Sequence, residues 1–286
     1  MAKIELGRVG AVVHPSEGRA PVAEAAERDA QGFPAIWITG GPLAGLDHLA
    51  QVVRGTERAR VVPAILAVVR FDADDVAALY ADMEAEHPGR FVVGLGGAHG
   101  PRPIATLNAY LDRLDAAGVP ADVRVLAALG PRMFDLARER AAGALPVHVT
   151  PDYVASVRGR LGDGCALAVE QLVVLDSDGP RVRESVRQGS LGFLGQLPAY
   201  QASFARMGFS EDEIATLADR LVDGIVAWGE LDRIVARMGE LFAAGADHVA
   251  LSLGGGPDDA WQQLAAAVAP LRWTAALAPL GRADRA

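Results

Sequence analysis

Histidines are the first candidates for proton transfer in this sequence, because imidazole titrates near neutral pH. Three of the six, His14, His99 and His148, follow β-branched runs typical of buried strands. If those strands are parallel, their carboxyl ends meet at one mouth, where an imidazole could protonate a substrate. For each, a structural histidine held by hydrogen bonds is an equal alternative. The six histidines form no HExxH or HxH pair, so no metal site is predicted.

The segment Gly130-Pro131-Arg132 has the features of an anion site at a helix start. Proline suits the first helical turn, the free N–H groups carry the positive end of the helix dipole, and arginine can bind phosphate through two donors. Thr150, after a later strand, could complete this end of the site. A plain helix start with a solvated arginine is the alternative.

Two scarce residue types exclude other chemistry. Lys3 is the only lysine, which disfavours Schiff-base chemistry and a P-loop lysine. Cys165 is the only cysteine, so an internal disulfide and a CxxC pair are excluded, and a reducing, cytoplasmic location is expected.

Net charge and hydropathy limit the classes of partner that the protein can bind. With 27 basic and 36 acidic residues, the net charge of −9 argues against nucleic acid as the main partner. The longest apolar runs, such as residues 61–69, reach about half a membrane span, and the amino terminus lacks the pattern of a signal peptide. We therefore expect neither nucleic acid nor a membrane as a partner.

Strand-like and helix-like segments alternate along the chain, which predicts parallel strands joined by right-handed crossovers. Eight such units in 286 residues favour an α/β fold of the closed TIM (β/α)8 type, formed by a single domain over residues 1–286. The predicted strands are Arg8–Val13, Ala35–Thr39, Arg60–Val68, Arg90–Gly96, Val123–Ala128, Leu145–Val149, Leu167–Leu175 and Asp247–Leu253.

Several predicted helices end in glycine just before the next strand. The positions are Gly32, Gly118, Gly143 and Gly245, where a left-handed glycine would stop the helix. The stretch 178–229, between the seventh and eighth strands, is too long for a simple crossover. It is predicted to be a helical excursion with two or three helices, which closes the mouth or builds a subunit interface.

The ordered segments of the chain resemble the bacterial luciferase-like superfamily, in particular its coenzyme F420-dependent oxidoreductases. The resemblance extends from about Arg8 to Leu253. It rests on GFPAIWITGG, RVVPAILAVV, GRFVVGLGGAHG, LAALGPRMFDLA, VTPDY and AGADHVALSL. The joint occurrence of GRFxxGLGxxH and GPRM carries most of its specificity.

This resemblance implies a barrel that holds coenzyme F420, or alternatively FMN, at its carboxyl face. It also implies a non-prolyl cis peptide at Ala64-Ile65 and a homodimer. His99 matches the superfamily motif and is the first candidate for the proton donor, followed by His148. The cofactor-binding residues implied by the match, together with the anion segment, are Thr39, Ala64, Ile65, Gly96, Gly97, Ala128, Gly130, Pro131, Arg132 and Thr150.

The sequence departs from the superfamily pattern at the end of the second strand. Thr39-Gly40 stands where deazaflavin enzymes often carry Asp-His or a similar polar pair. The leading hypothesis is an F420-dependent oxidoreductase with a small-molecule or peptide natural-product substrate. It would reduce an activated C=C or C=N bond or oxidise an alcohol carbon. An FMN-dependent monooxygenase and a non-catalytic cofactor-binding barrel remain alternatives.

Overall fold

Parallel strands form the centre of the molecule. The computed structural model describes residues 3–15, 20–98 and 100–271. Every pair of neighbouring strands in this part of the chain is parallel. The strands are β1 (Val9–Val13), β2 (Ala35–Thr39), β3 (Arg60–Ala64), β4 (Leu66–Ala67), β5 (Val93–Gly96), β6 (Arg124–Ala127), β7 (Gly143–Leu145), β8 (Ala166–Val174), β9 (Val226–Trp228) and β10 (His248–Gly255).

The strand order shows a closed barrel. Hydrogen bonds connect the strands in the order β3-β2-β1-β10-β8-β7-β6-β5-β4, and β4 continues directly from β3 after Ile65. Since β3 and β4 are one strand interrupted at a single residue, the path returns to its start with eight positions around the barrel. The predicted α/β barrel of the TIM type is therefore confirmed.

Helices cover the outside of the barrel, and apolar residues on their inner faces bury against it. They are α1 (Val22–Ala30), α2 (Asp47–Gly55), α3 (Ala73–Glu86), α4 (Pro103–Ala116), α5 (Pro131–Arg140), α6 (Pro151–Leu161), α7 (Gly179–Gln188), α8 (Ser190–Leu194), α9 (Pro198–Arg206), α10 (Glu211–Thr216), α11 (Asp219–Ile225), α12 (Leu231–Ala243) and α13 (Ala260–Val268). None of the helices in residues 3–15, 20–98 and 100–271 combines the length and apolar character needed to cross a bilayer.

Three of the four predicted glycine stops are left-handed. Gly32, Gly118 and Gly245 have φ values of 87°, 79° and 101° and follow α1, α4 and α12. Gly143 is different, because it is already the first residue of β7. The prediction was wrong for that position, where α5 ends at Arg140 and Ala141 is extended.

One strand prediction and the predicted excursion also need correction. The sixth predicted strand, Leu145–Val149, begins two residues too late, because β7 covers Gly143–Leu145. After Pro146, which has no N–H to donate, Val147 pairs only through a single bridge to Glu170. The excursion is not purely helical. It contains five helices, α7 to α11, so the prediction of two or three was wrong, and then β9, which pairs with β8 at Leu172–Val174.

Buried apolar residues form two layers around the barrel. One layer lies between the strands and the helices and includes Val9, Ile36, Leu126, Phe134 and Leu251. The second fills the inside of the barrel, its lumen, with residues such as Val12, Trp37, Val125, Ala168 and Ala250. Because side chains alternate along a strand, membership of the second layer identifies which residues of each strand point inward.

The lower lumen is closed by a hydrogen-bonded pair, Trp37 and His248, which we call the floor. Trp37 Nε1 donates to His248 Nε2 at 2.9 Å, and His248 Nδ1 lies 2.8 Å from the carbonyl oxygen of Gly7. A Cβ atom on Gly10 would lie 2.7 Å from His248 Nε2, so glycine is required there. Burial lowers the pKa of His248 to about 4. His248 is therefore a neutral structural histidine.

At the same end of the barrel, Asp247 joins the amino terminus to two other segments. Its carboxylate pairs with Lys3, with Arg158 at 2.5 Å and with the backbone N–H of Leu167 at 2.9 Å. The only lysine of the chain thus takes part in an ion-pair cluster that holds the strand ends together.

Candidate functional site

The carboxyl ends of the strands surround an opening that we call the mouth, lined by His14, Thr39, Ile65, Glu170 and Ser252. Thr39 Oγ1 lies 2.8 Å from His14 Nδ1, and Ser252 Oγ lies 3.4 Å from His14 Nε2. The His14 side chain is exposed at the opening, yet the surrounding rim desolvates the ring and lowers its pKa. Each ring nitrogen of His14 therefore has a hydroxyl partner in the rim.

Ala64 and Ile65 form one wall of the mouth, and the peptide bond between them is cis, as predicted. Ala64 pairs with Thr39 across the sheet, and Gly40 N donates to Ala64 O at 3.1 Å. A Cβ atom on Gly40 would lie 1.7 Å from the carbonyl oxygen of Ile65. Any side chain at position 40 would clash with this carbonyl, so glycine is required there.

Gly96 and Gly97 adjoin the same wall. A Cβ atom on Gly96 would lie 2.8 Å from Ala127 Cβ and 3.1 Å from Ile65 Cγ1. Gly97 has a φ of 65°, and a Cβ atom there would lie 2.9 Å from Ala67 Cβ. These glycines let β5 approach Ile65 closely, so four of the predicted cofactor-binding residues, Ala64, Ile65, Gly96 and Gly97, lie together.

The two predicted proton donors have different outcomes. His99 lies outside the described residues. His148 is 5% exposed, adopts a φ of 53°, and lies with its ring centroid 6.1 Å from that of Tyr200 on α9. Its Nδ1 atom is buried without a hydrogen-bond partner in the described part of the chain. Burial lowers the pKa of His148 to about 4, so the imidazole is neutral at neutral pH.

Glu170 is a candidate that the sequence analysis missed. Its neighbours two and four residues earlier on β8, Ala168 and Ala166, point into the lumen, and its partner across the sheet, Ala250, does so too. Glu170 therefore points inward, half-buried, one layer above the floor. Burial raises the pKa of its carboxyl to about 7. The sequence signal was one acidic residue at an inward position of the apolar run ALAVEQLVV.

The predicted anion segment lies at the start of α5, next to the start of α6. Thr150 Oγ1 accepts from Tyr153 N at 3.3 Å, and the Tyr153 hydroxyl donates to Leu129 O at 2.8 Å. One tyrosine therefore links the two helix starts. Pro131 is the first residue of α5, and Arg132 is exposed beside it.

Arg206, on α9, was also missed. Its Nη1 atom donates to Leu129 O at 3.4 Å, and its guanidinium atoms lie 3.5 Å from the position of a Cβ atom on Gly130. No local pattern indicates this residue, because the packing of the excursion brings it to α5. It adds a positive charge at the predicted anion segment.

Ala128 faces the other side of the sheet. Its side chain is buried in the layer between strands and helices, whereas the adjacent Ala127 lies against the Gly96 position. Of these two residues, Ala127 is the one whose side chain adjoins the wall of the mouth.

A cleft of about 320 Å³ lies beside the carboxyl ends of β8 and β10, outside the mouth. Its lining includes Leu175 and Pro257 together with Glu230 and Asp232. The two carboxylates disfavour a phosphate there. Among the residues that the structure describes, no three His, Cys, Asp or Glu side chains converge as metal ligands would.

Comparisons with known proteins give structural matches only. No family model and no curated protein sequence matches the chain. An F420-dependent secondary alcohol dehydrogenase, solved with an F420-acetone adduct, superposes with a TM-score of 0.72 at 12% identity, over 94% of this chain and 100% of its own.

Two further solved structures show the range of similar barrels. The coenzyme F420-dependent tetrahydromethanopterin reductase from Methanopyrus kandleri has a TM-score of 0.62 at 16% identity, over 93% of this chain and 98% of its own. The FMN-bound oxygenating constituent of 3,6-diketocamphane monooxygenase from Pseudomonas putida has a TM-score of 0.66 at 12% identity, over 94% and 98%. The chain therefore has the barrel fold that the resemblance to the luciferase-like superfamily predicts, a fold it shares with F420-dependent and FMN-dependent enzymes.

Proposed function

We propose that this protein is an oxidoreductase that binds coenzyme F420 in the mouth and transfers a hydride to or from a small organic substrate. The observation that carries the proposal is the arrangement of the mouth. The wall at Ala64-Ile65 adjoins protonatable and polar side chains, and a cationic residue stands at the starts of two helices. This arrangement suits a ligand with a planar redox ring and an anionic side chain.

The anionic part of the cofactor would bind at the start of α5. Arg206 and Arg132 supply positive charge, and the helix start supplies its dipole. Thr150 holds the adjacent helix start in place through its hydrogen bond to Tyr153. Arg160, which also reaches this helix start, already pairs with Asp135 at 2.8 Å, so Arg206 is the stronger candidate ligand.

The ring would lie against the wall formed by Ala64, Ile65, Gly96 and Gly97, with Thr39 at its edge. When bound, reduced F420 supplies a hydride from C5 of its deazaflavin. The buried Nδ1 atom of His148 lacks a partner in the described chain and would accept or donate one hydrogen bond to a ligand. The protein would orient the reacting atoms and exclude water.

A superposable FMN enzyme gives a second candidate, an FMN-dependent monooxygenase on the same barrel. Anaerobic titration of the purified protein with F420 and with FMN separates the two. We expect tight F420 binding and weak FMN binding. Tight FMN binding without F420 binding would contradict the proposal.

An arginine variant tests the anion end. Arg206→Gln should weaken F420 binding about tenfold, because one charge-assisted contact is lost. Arg138→Gln, in the last turn of α5 and thus at the opposite end of the helix whose start Arg206 approaches, is the control and should bind normally. Equal affinities of the two variants would remove Arg206 from the site.

Turnover is tested by stopped-flow mixing of reduced F420 with acceptors that carry an enone or an imine. Reoxidation of the deazaflavin with at least one acceptor is the expected result. Binding of F420 with no reoxidation by any acceptor would favour the non-catalytic barrel.

A further inference from the structure

Among the residues that the structure describes, the positions that the sequence indicated offer the mouth no evident acid, and His99 lies outside those residues. Thr39-Gly40 replaces the polar pair, and the Cβ position of Gly40 is occupied by the Ile65 carbonyl. Desolvation lowers the pKa of His14, which disfavours its protonated form. His148 is buried and its pKa is lowered to about 4, so at neutral pH it is not the imidazolium that could act as an acid. Reduction of C=C or C=N nevertheless requires one proton per hydride.

We propose that the carboxyl of Glu170 is the catalytic group that exchanges this proton with the substrate, an assignment that rests on the proposed function. Glu170 lies opposite Ala250 on β10, one layer above the Ala168–His248 pair of the floor and one layer below the Leu172–Ser252 pair. Ser252 Oγ contacts His14 at the opening. The Glu170 side chain thus lies inside the lumen, between the closed floor and the rim.

The surroundings leave this carboxyl free for a ligand. In residues 3–15, 20–98 and 100–271, no hydrogen bond or ion pair engages its oxygens, and burial alone accounts for its raised pKa of about 7. Burial, and then the Glu170 charge, raise the pKa of Tyr200 to about 12, so this α9 residue is within electrostatic range of the carboxyl. The other titratable groups of the described lumen are His14, His148 and His248. By contrast, the carboxylate of Asp247 is paired with Lys3 and Arg158.

The chemical step balances with the groups named. In the reducing direction, the substrate carbon receives the hydride, the C=C or C=N π pair moves to the neighbouring atom, and that atom takes the proton as the Glu170 O–H bond breaks. The substrate gains two electrons, F420 is oxidised, and Glu170 is left as a carboxylate. Because its side chain is half-buried, solvent can return the proton. In the oxidising direction, the carboxylate accepts the proton of an alcohol.

The experiment compares Glu170→Gln with Glu184→Gln, an exposed change on α7 that serves as the matched control. The first measurement needs no cofactor. An infrared pH titration of the protein should show a carboxylic C=O band with a midpoint near neutral pH. The band should be retained in Glu184→Gln and absent from Glu170→Gln. Wild-type protein without such a band would overturn the assignment.

The second measurement is single-turnover hydride transfer at pH 6, with F420 affinity determined separately. Glu170→Gln should bind F420 within twofold of wild type and react about 10²-fold more slowly, while Glu184→Gln reacts normally. Glu170→Asp, which keeps an acid on a shorter side chain, should recover part of the rate and the infrared band. These two substitutions together separate loss of the acid from loss of folding.

The outcomes distinguish the two proposals. If wild type binds no F420, the proposed function fails and this assignment fails with it. If wild type binds and oxidises F420 while Glu170→Gln reacts at the same rate, only the assignment to Glu170 fails.

Discussion

The floor and the mouth of the barrel each contain a buried histidine, and the two differ in the hydrogen bonds of their ring nitrogens. His248 in the floor and His148 beside the mouth are 1% and 5% exposed, and burial lowers both pKa values to about 4. His248 has a partner for each ring nitrogen, Trp37 and Gly7. The Nδ1 atom of His148 has none in the described chain. Equal burial therefore hides a difference in hydrogen bonding.

This difference separates stability from ligand binding. A buried polar atom without a partner destabilises the fold by about 1–3 kcal/mol, whereas a satisfied one is nearly neutral or favourable. In the floor, both ring nitrogens of His248 have hydrogen-bond partners, so this part of the core is stable without a ligand. The mouth carries an unpaired imidazole atom and an unpaired carboxyl, which is expected where a ligand supplies the missing partners.

The largest expected effect is the loss of stability in acid. Both histidines have folded pKa values near 4 against 6.5 when unfolded, so their contribution is complete above pH 6.5 and is lost as the pH falls through 4. Each contributes about 3 kcal/mol to the unfolding free energy over that range. Urea unfolding at pH 7.5, 6.5, 5.5 and 4.5 measures the loss.

Glu170 titrates in the opposite direction over the same range, so the acid experiment is best done in the Glu170→Gln background. In that background, His248→Asn and His148→Asn should each flatten the pH dependence, because each removes one buried imidazole. A wild-type slope that persists in both variants would show that other groups cause the acid effect.

The next largest effect is the asymmetry of the two histidine variants at pH 7.5. His248→Asn should lower the unfolding free energy by about 3 kcal/mol, because ring packing is lost and the Trp37 donor is left without its partner. His148→Asn should lower it by only about 1 kcal/mol, since asparagine tolerates the left-handed φ of 53° and no hydrogen bond to Nδ1 is lost in the described chain. Equal losses would contradict the distinction between floor and mouth.

The sequence predicted the barrel well because its signal is local and repeated. Alternation of short apolar strands and helices, with glycine stops such as Gly32 and Gly118, reports on the backbone directly. It missed β9, a three-residue strand that follows α11 without a break. A run that short carries no periodicity of its own and forms only because β8 offers it a partner.

The mouth was harder to predict for a different reason. Arg206 reaches α5 from the excursion, whose packing no local pattern encodes. Glu170 is indicated only by its position on β8, an even number of residues from the inward-pointing Ala166 and Ala168. His148 follows β7 closely in the sequence, but its ring lies near that of Tyr200, 52 positions later, a contact that no local pattern indicates. The residue types at a site can therefore be predicted from the strand ends. The burial and charge around those residues cannot, because they depend on segments that are distant in the sequence.

The smallest expected effect is a gain in stability when the mouth loses its carboxyl. The folded pKa of Glu170 is raised to about 7 from 4.5, so the fold is penalised as the pH rises through this range and the penalty is constant above it. Glu170→Gln should therefore raise the unfolding free energy at pH 8 by about 1–2 kcal/mol, a figure reduced for the partial exposure of the side chain. At pH 4.5 and below, the gain should vanish. Urea unfolding of both proteins at pH 8 and pH 4.5 checks the sign, and Glu184→Gln should show no gain at either pH. A loss of stability at pH 8 would mean that the Glu170 carboxylate is held by favourable contacts and that the mouth resembles the floor after all.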